Sequence, residues 1–465
     1  MINQTIVKYQ PSISTIYQSE VSFVEISINY TCLALLATIA HNRSWRVLMT
    51  FVLGILMSCG WTYPALGQWL SDNLSHPPPL NEPYPFSPPG AWLPGASGFL
   101  RQGDTYQDPI FGSTIQRLTD DYPRTTSENY AKNGFWNADG TRLIYMSNDD
   151  KIIDASTGAV VRNNVPGNFD SSFAPDDPDI WYYFSGSSLR QYHISTGTTS
   201  LVKTFSNSLG PLGGSVDWID GSGRYMVLKI GSVFRVWDKQ TDTLFAGSIS
   251  ENLGTGWIGI SPDASYVITA VDGGTKKSYA IDKVAQTVST NGVVFWTLCG
   301  DHADILTASD GKTYMVTFHC WDAPEIYRVD VSIPQNANNS NAARQKQLAD
   351  NRKLLDVTWN DDGHFSCVTT GSMRDWCFMS TENGGSHTSW WPYKDEIIGV
   401  NVLSGEVRRY AHHRSRGSAQ SGCYFCQPRV QATWDGSKVL FSSNYGATNA
   451  NDGEYGELYV ITFTV

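Results

Sequence analysis

Charge is scarce in this sequence. Only 17 % of its 465 residues are Asp, Glu, Lys or Arg, the net charge is −11, and no basic cluster is dense enough to follow a phosphate backbone. Nucleic acid and anionic membrane surfaces are thereby excluded as general partners, though a local basic patch is not. Long Ala/Glu/Lys/Leu stretches are also missing, which argues against helical bundles, while 41 glycines and 12 % aromatics suit an all-β chain. No G-x-S-x-G elbow occurs, so the nucleophile of an α/β-hydrolase domain is absent and peptidase activity is not expected. Histidine is sparse too, at nine, which gives weight to any two that share a structural position.

The N-terminal region, residues 1–67, reads as export machinery rather than fold. Arg43 and Arg46 precede the apolar run "VLMTFVLGILMSCGWT", and "ALG" (Ala65 to Gly67) offers the small residues a signal peptidase reads. About forty residues ahead of the positive flank exceed an ordinary signal. Translation from a later start, or retention as a membrane anchor, would each account for them. From Pro77 to Pro94 there are eight prolines in eighteen residues, a composition that forms neither helix nor central strand, so residues 68–112 are expected to be a linker. Six cysteines follow Gly67: Cys299, Cys320, Cys367, Cys377, Cys423 and Cys426. An even number behind an export signal reads as disulfides in an oxidising, extracytoplasmic compartment, with the membrane met only through the N-terminal segment.

The organising feature is an internal repeat. "FWNADGTRLIYMSN" (Phe135 to Asn148), "IGISPDASYVITA" (Ile258 to Ala270), "LTASDGKTYMVTF" (Leu306 to Phe318) and "QATWDGSKVLFSSN" (Gln431 to Asn444) share a strand, an Asp-Gly-like turn and a strand of alternating apolar residues. Weaker copies surround Phe173 and Trp218. Asp-Gly supplies the positive φ of a tight hairpin, and each copy is followed by a third strand and usually a fourth. The spacing predicts an all-β fold over residues 113–465: a seven-bladed β-propeller of four-stranded antiparallel blades. Its blades begin near Asn129, Asn168, Gly213, Thr255, Asp301, Gly363 and Cys426. The last blade has three strands, and the orphan "STIQRLT" (Ser113 to Thr119) would pair into it, close the ring and remove exposed edges. A monomer is expected.

Counting eight residues back from each turn Asp reaches the start of the innermost strand, which lines the central channel. Asp310 leads to His302 and Asp435 to Gln427, and the degenerate turn at Ser372 leads to His364. Two imidazoles and a carboxamide from consecutive blades thus stand at one height, with His412 and His413 in the loop ahead of the last blade. Such donors suit a divalent ion of borderline softness, Mn²⁺, Fe²⁺ or Zn²⁺. The alternative is that these side chains hydrogen-bond inter-blade loops. Arg414, Arg416 and Arg429 flank Gln427, and guanidinium forks match carboxylates or sulfates. Folding the blades also brings Cys299 to Cys320, Cys367 to Cys377, and Cys423 to Cys426.

"GDHADILTASDG", "DDGHFSC" and "HHRSRGSAQSGCYFCQPRVQATWDGSKVLFSSNYG" make the chain resemble the TolB-like propellers and, more narrowly, the oligogalacturonate lyase family, over roughly Ser113 to Val465. The resemblance implies a manganese-type ion held in the propeller centre by His302, His364 and Gln427, with His413 as a further ligand from the preceding loop. The family's pattern also has histidines three and five residues beyond the glutamine, where this chain has Val430 and Ala432. It implies β-elimination on a uronate-containing oligo- or polysaccharide. Arg414 or Arg429 would neutralise the carboxylate, and His412, His413 or Tyr424 would act as base. The alternative is a non-catalytic extracytoplasmic propeller that binds a glycan or a protein; a different metal-dependent hydrolase or isomerase on the same rim also stays open.

Overall fold

The computed structural model describes residues 69–78, 100–120, 132–145, 150–214, 216–271, 274–298, 302–319, 321–338, 340–358, 362–382, 389–415, 427–445 and 456–463. The signal or anchor region, most of the Pro-rich stretch, Arg416, Tyr424, Cys299, Cys320, Cys423 and Cys426 lie outside them.

Alternating apolar strands joined by tight turns build seven small antiparallel sheets, the seven blades anticipated from the repeat. The fifth blade is made of Ala303–Thr307, Thr313–His319, Glu325–Asp330 and Arg352–Asp356. The sixth is made of Asp362–Cys367, Trp376–Glu382, Glu396–Asn401 and Val407–His412. In the first and third blades the innermost strand shrinks to a single bridge, Trp136 to Leu143 and Ile219 to Met226. The hairpin turns demand a left-handed residue, and Gly140, Gly311 and Gly436 supply it at φ of 63°, 81° and 74°. In the fourth blade Ala264 takes the same conformation at φ 53°.

Ring closure follows the expected scheme. The seventh blade stacks Gln431–Ala432, Lys438–Ser443 and Glu457–Thr462, then receives Thr114–Arg117 with Ile115 opposite Ile461 and Arg117 opposite Tyr459. One further strand, Thr105–Gln107, pairs outside it. Two other elements are additions to the repeat. The helix Asn341–Asp350, N-capped by Ser340, is inserted before the last strand of the fifth blade and held to the fourth by Gln347 and Thr297. Residues 69–78 lie along the sixth blade, where Leu70 bridges Arg409 and Trp69 packs on Tyr410 and under the Arg408 guanidinium.

The core lies between blades. Trp136, Trp181, Trp218, Trp257 and Trp296 are all fully buried, and one apolar cluster runs from Tyr182 of the second blade through Trp218 and Phe234 to Ile258 of the fourth. Burying both faces of every sheet is what makes the ring self-supporting. Cys367 and Cys377, opposite one another in the sixth blade, are joined by a disulfide.

Candidate functional site

The innermost strands of the fifth and sixth blades place His302 and His364 face to face, ring centres 4.2 Å apart and planes inclined by 28°. Asp362, two residues before His364, lies 3.0 Å from His302 Nδ1 through Oδ1. Strand pairing sets Asp362 opposite Glu382 and His364 opposite Ser380. His364 Nδ1 is 3.9 Å from Glu382 Oε1, the same oxygen that accepts from Gln427 Nε2 at 2.9 Å. Arg429 Nη2 in turn donates to Gln427 Oε1 at 3.1 Å, and Ser442 Oγ donates to the Gln427 carbonyl at 2.8 Å. A chain of polar groups therefore runs Asp362, His302, His364, Glu382, Gln427, Arg429. Only its first two members face solvent, their side chains being 43 % and 22 % exposed.

Burial sets the protonation states. It holds the His364 imidazole well below its ordinary range, helped by the positive charge of Arg429, so this ring stays neutral. Burial likewise pushes the Glu382 carboxyl well above its ordinary range, with Asp362 adding to the shift and Arg429 and Gln427 opposing it. At Asp362 burial also works against ionisation, but the hydrogen bonds from His302 and from Gly363 N–H prevail and hold it below the usual carboxylate value. An ionised Asp362 accepting from Nδ1–H fixes the imidazole tautomer whose lone pair is on Nε2, the arrangement that orients a general base.

The structure brings His302, His364, Gln427 and Arg429 together; it does not bring His412, His413 or Arg414 to the same point. Val407–His412 is the outermost strand of its blade, so its end lies at the perimeter rather than the channel. His412 Nε2 donates to the His76 carbonyl at 2.7 Å, with its ring 4.8 Å from that of Phe111. His413 Nε2–H donates to the Thr381 carbonyl at 2.8 Å while its Nδ1 accepts from Ser415 N–H at 3.0 Å, which commits both ring nitrogens. Arg414 is buried, in the left-handed conformation at φ 60°, with its guanidinium 5.9 Å from the Tyr106 ring.

Below the imidazoles is a second charged tier that the hairpin count does not reach. Asp217 of the third blade accepts from Gly134 N–H at 2.9 Å and Asn133 N–H at 3.2 Å, tying the third blade to the first. Asp304 of the fifth accepts from Cys367 N–H of the sixth at 2.6 Å. Both carboxyls line a cavity of about 10 Å³, room for about one water, closed on other sides by Thr369 and Trp434. Burial raises Asp217 to about 6 against the countervailing charge of Lys132, and raises Asp304 well above its usual range.

These residues do not fit a resident divalent ion. A metal bound through two imidazoles must lie in both ring planes. With the stacking found here the planes meet about 8 Å from the rings, whereas a metal–nitrogen distance of about 2 Å needs a meeting point about 3 Å from each ring centre. The Gln427 oxygen is engaged by Arg429, and Val430 and Ala432 are fully buried in the apolar cluster between the sixth and seventh blades. Among the described residues no three His, Cys, Asp or Glu side chains are gathered around one point as an ion requires.

No family model matches the chain, and no curated protein sequence is similar to it. A solved structure shares its fold. An oligogalacturonate lyase in complex with manganese superposes with a TM-score of 0.50 at 16 % identity, over 78 % of this chain and 96 % of that one. The oligogalacturonate lyase of Vibrio parahaemolyticus gives a TM-score of 0.49 at 12 % identity over the same shares.

Proposed function

We propose that the channel mouth is the active site of an extracytoplasmic carbon–oxygen lyase acting on a uronate-containing oligo- or polysaccharide. The Asp362–His302 pair carries this reading: an imidazole oriented by a carboxylate, open to solvent at the mouth of a propeller whose fold is that of proteins named oligogalacturonate lyases. In β-elimination His302 Nε2 takes the proton α to the uronate carboxylate, the carbon–oxygen bond at the β position breaks, and its electrons leave with the sugar oxygen as the ring double bond forms. The departing oxygen is protonated from solvent, and the His302 imidazolium then releases its proton to regenerate the base. His364, kept neutral, stacks beneath His302 and fixes its ring plane. A manganese-type ion, the cofactor the resemblance implies, finds no ligand set here, so no step is assigned to one. The Cys367–Cys377 disulfide supports an oxidising compartment.

The test is the ultraviolet absorbance of a conjugated uronate on incubation with pectate-, alginate- and glucuronan-type oligomers, compared with His302→Ala. Product from wild type that falls at least about 100-fold in the variant supports the reading. No product from any of them, with saccharide binding retained by calorimetry, assigns a glycan-binding propeller instead.

A further inference from the structure

We infer that the cationic group of this channel mouth is covalent: Arg429 stands where a bound ion would be needed, and the site takes up no divalent metal. The inference rests on the geometry of the cluster and does not depend on the lyase reading. Gln427 is the deciding residue. Its amide is gripped at both ends, Nε2 by Glu382 and Oε1 by the Arg429 guanidinium, so the oxygen a metal would draw on already accepts from a cationic donor. Turning the amide over would aim its NH₂ group at the guanidinium and its oxygen at Glu382, losing the Arg429 bond. The guanidinium itself is buried beside His364 and Glu382, and a second cation placed among the imidazoles would meet that charge across a poorly screened interior.

Val430 and Ala432 pack with Val368 and Phe441, so metal-ligating side chains there would have to leave the interface between two blades. Arg429 is then a positioning residue. It orients Gln427, which in turn holds Glu382 under His364, and it lends positive potential to the imidazole layer without any ion to lose.

The experiment is metal content and uptake on the full-length protein. Wild-type protein purified without chelator is assayed by plasma mass spectrometry, then titrated with Mn²⁺ and Zn²⁺ by calorimetry while the imidazole resonances are followed by NMR. Well below one ion per chain, and His302 and His364 resonances unmoved by Mn²⁺, Zn²⁺ or chelator, are expected. One tightly held ion per chain, with those resonances shifting on its removal, would overturn the inference. Arg429→Met removes the charge and frees the Gln427 oxygen, and its Mn²⁺ affinity is expected to exceed wild type by at least about tenfold. Arg429→Lys, which keeps the charge, is expected to stay ion-free. A methionine variant no tighter than wild type refutes the role given to the guanidinium. If that variant does not fold, the wild-type titration still decides. Ion uptake together with unsaturated product would sink this inference and leave the elimination standing; no ion and no product would do the reverse.

Discussion

Asp217→Asn should change how stability depends on pH, by an amount the structure sets. The Asp217 carboxyl bridges the third and first blades beside a one-water cavity, and burial raises it from 3.8 to about 6 even though Lys132 and two N–H groups favour the charge. Because the folded value lies above the unfolded one, the group's contribution is fully present below pH 3.8 and is lost as pH rises to about 6. A shift of that size is worth at most about 3 kcal/mol, since each pKa unit is about 1.4 kcal/mol and the cavity allows some screening. Asparagine does not titrate and keeps one of the two N–H bonds, so its own cost, about 1–2 kcal/mol, is independent of pH. Urea unfolding of both proteins at pH 4, 5, 6 and 7 reads the difference. The variant should gain on wild type by up to about 3 kcal/mol between pH 4 and 7. A difference that stays flat across that range would mean that Asp217 is ionised throughout and that the account of the channel's second tier is wrong.

Other outcomes follow from the same structure. Asp362→Asn should lower the rate of unsaturated-product formation about 10- to 100-fold with little change in KM, because the imidazole loses the partner that sets its tautomer; steady-state kinetics checks it. Arg409→Met strips a bidentate partner from buried Glu396 and releases Asp72 and the Leu74 carbonyl, and should cost about 3–5 kcal/mol in unfolding measurements. The same variant should speed proteolytic cleavage within residues 69–78, since that guanidinium is one of their ties to the sixth blade. Replacing Cys367 and Cys377 together by Ser opens a short loop and should cost about 2–3 kcal/mol, with the variant's thermal midpoint less sensitive to reductant than the wild type's.

The blade number and the closing strand are legible in the sequence because a tight hairpin imposes both a turn chemistry and an alternation on the residues around it. His302 and His364 are legible for a related reason: a strand has a fixed rise, so equal counts from equal turns end at equal heights. Glu382 and Asp217 escape that ruler. Glu382 reaches the site only through the register of the second strand in its blade, and the third blade's inner strand is a single bridge whose turn departs from the repeat's spacing. His412 and His413 look close to the channel because they precede its last blade in the chain, yet His412 ends an outermost strand and bonds to the His76 carbonyl, and both ring nitrogens of His413 are engaged by backbone groups. The inserted helix is polar almost throughout and buries only Ala343 and Gln347, so it offers no apolar stripe from which a helix would be read; its Ser340 cap is the one local signal.

Sharing one blade between distant parts of the chain sets the order in which the polar cluster at the channel mouth is assembled. His302 and His364 sit on consecutive sheets and can meet as soon as both have been made. Gln427 and Arg429 belong to the sheet that stays incomplete until Glu457–Thr462 has met Thr114–Arg117. A nascent chain thus lacks the buried amide and guanidinium beside its imidazoles until the circle is sealed.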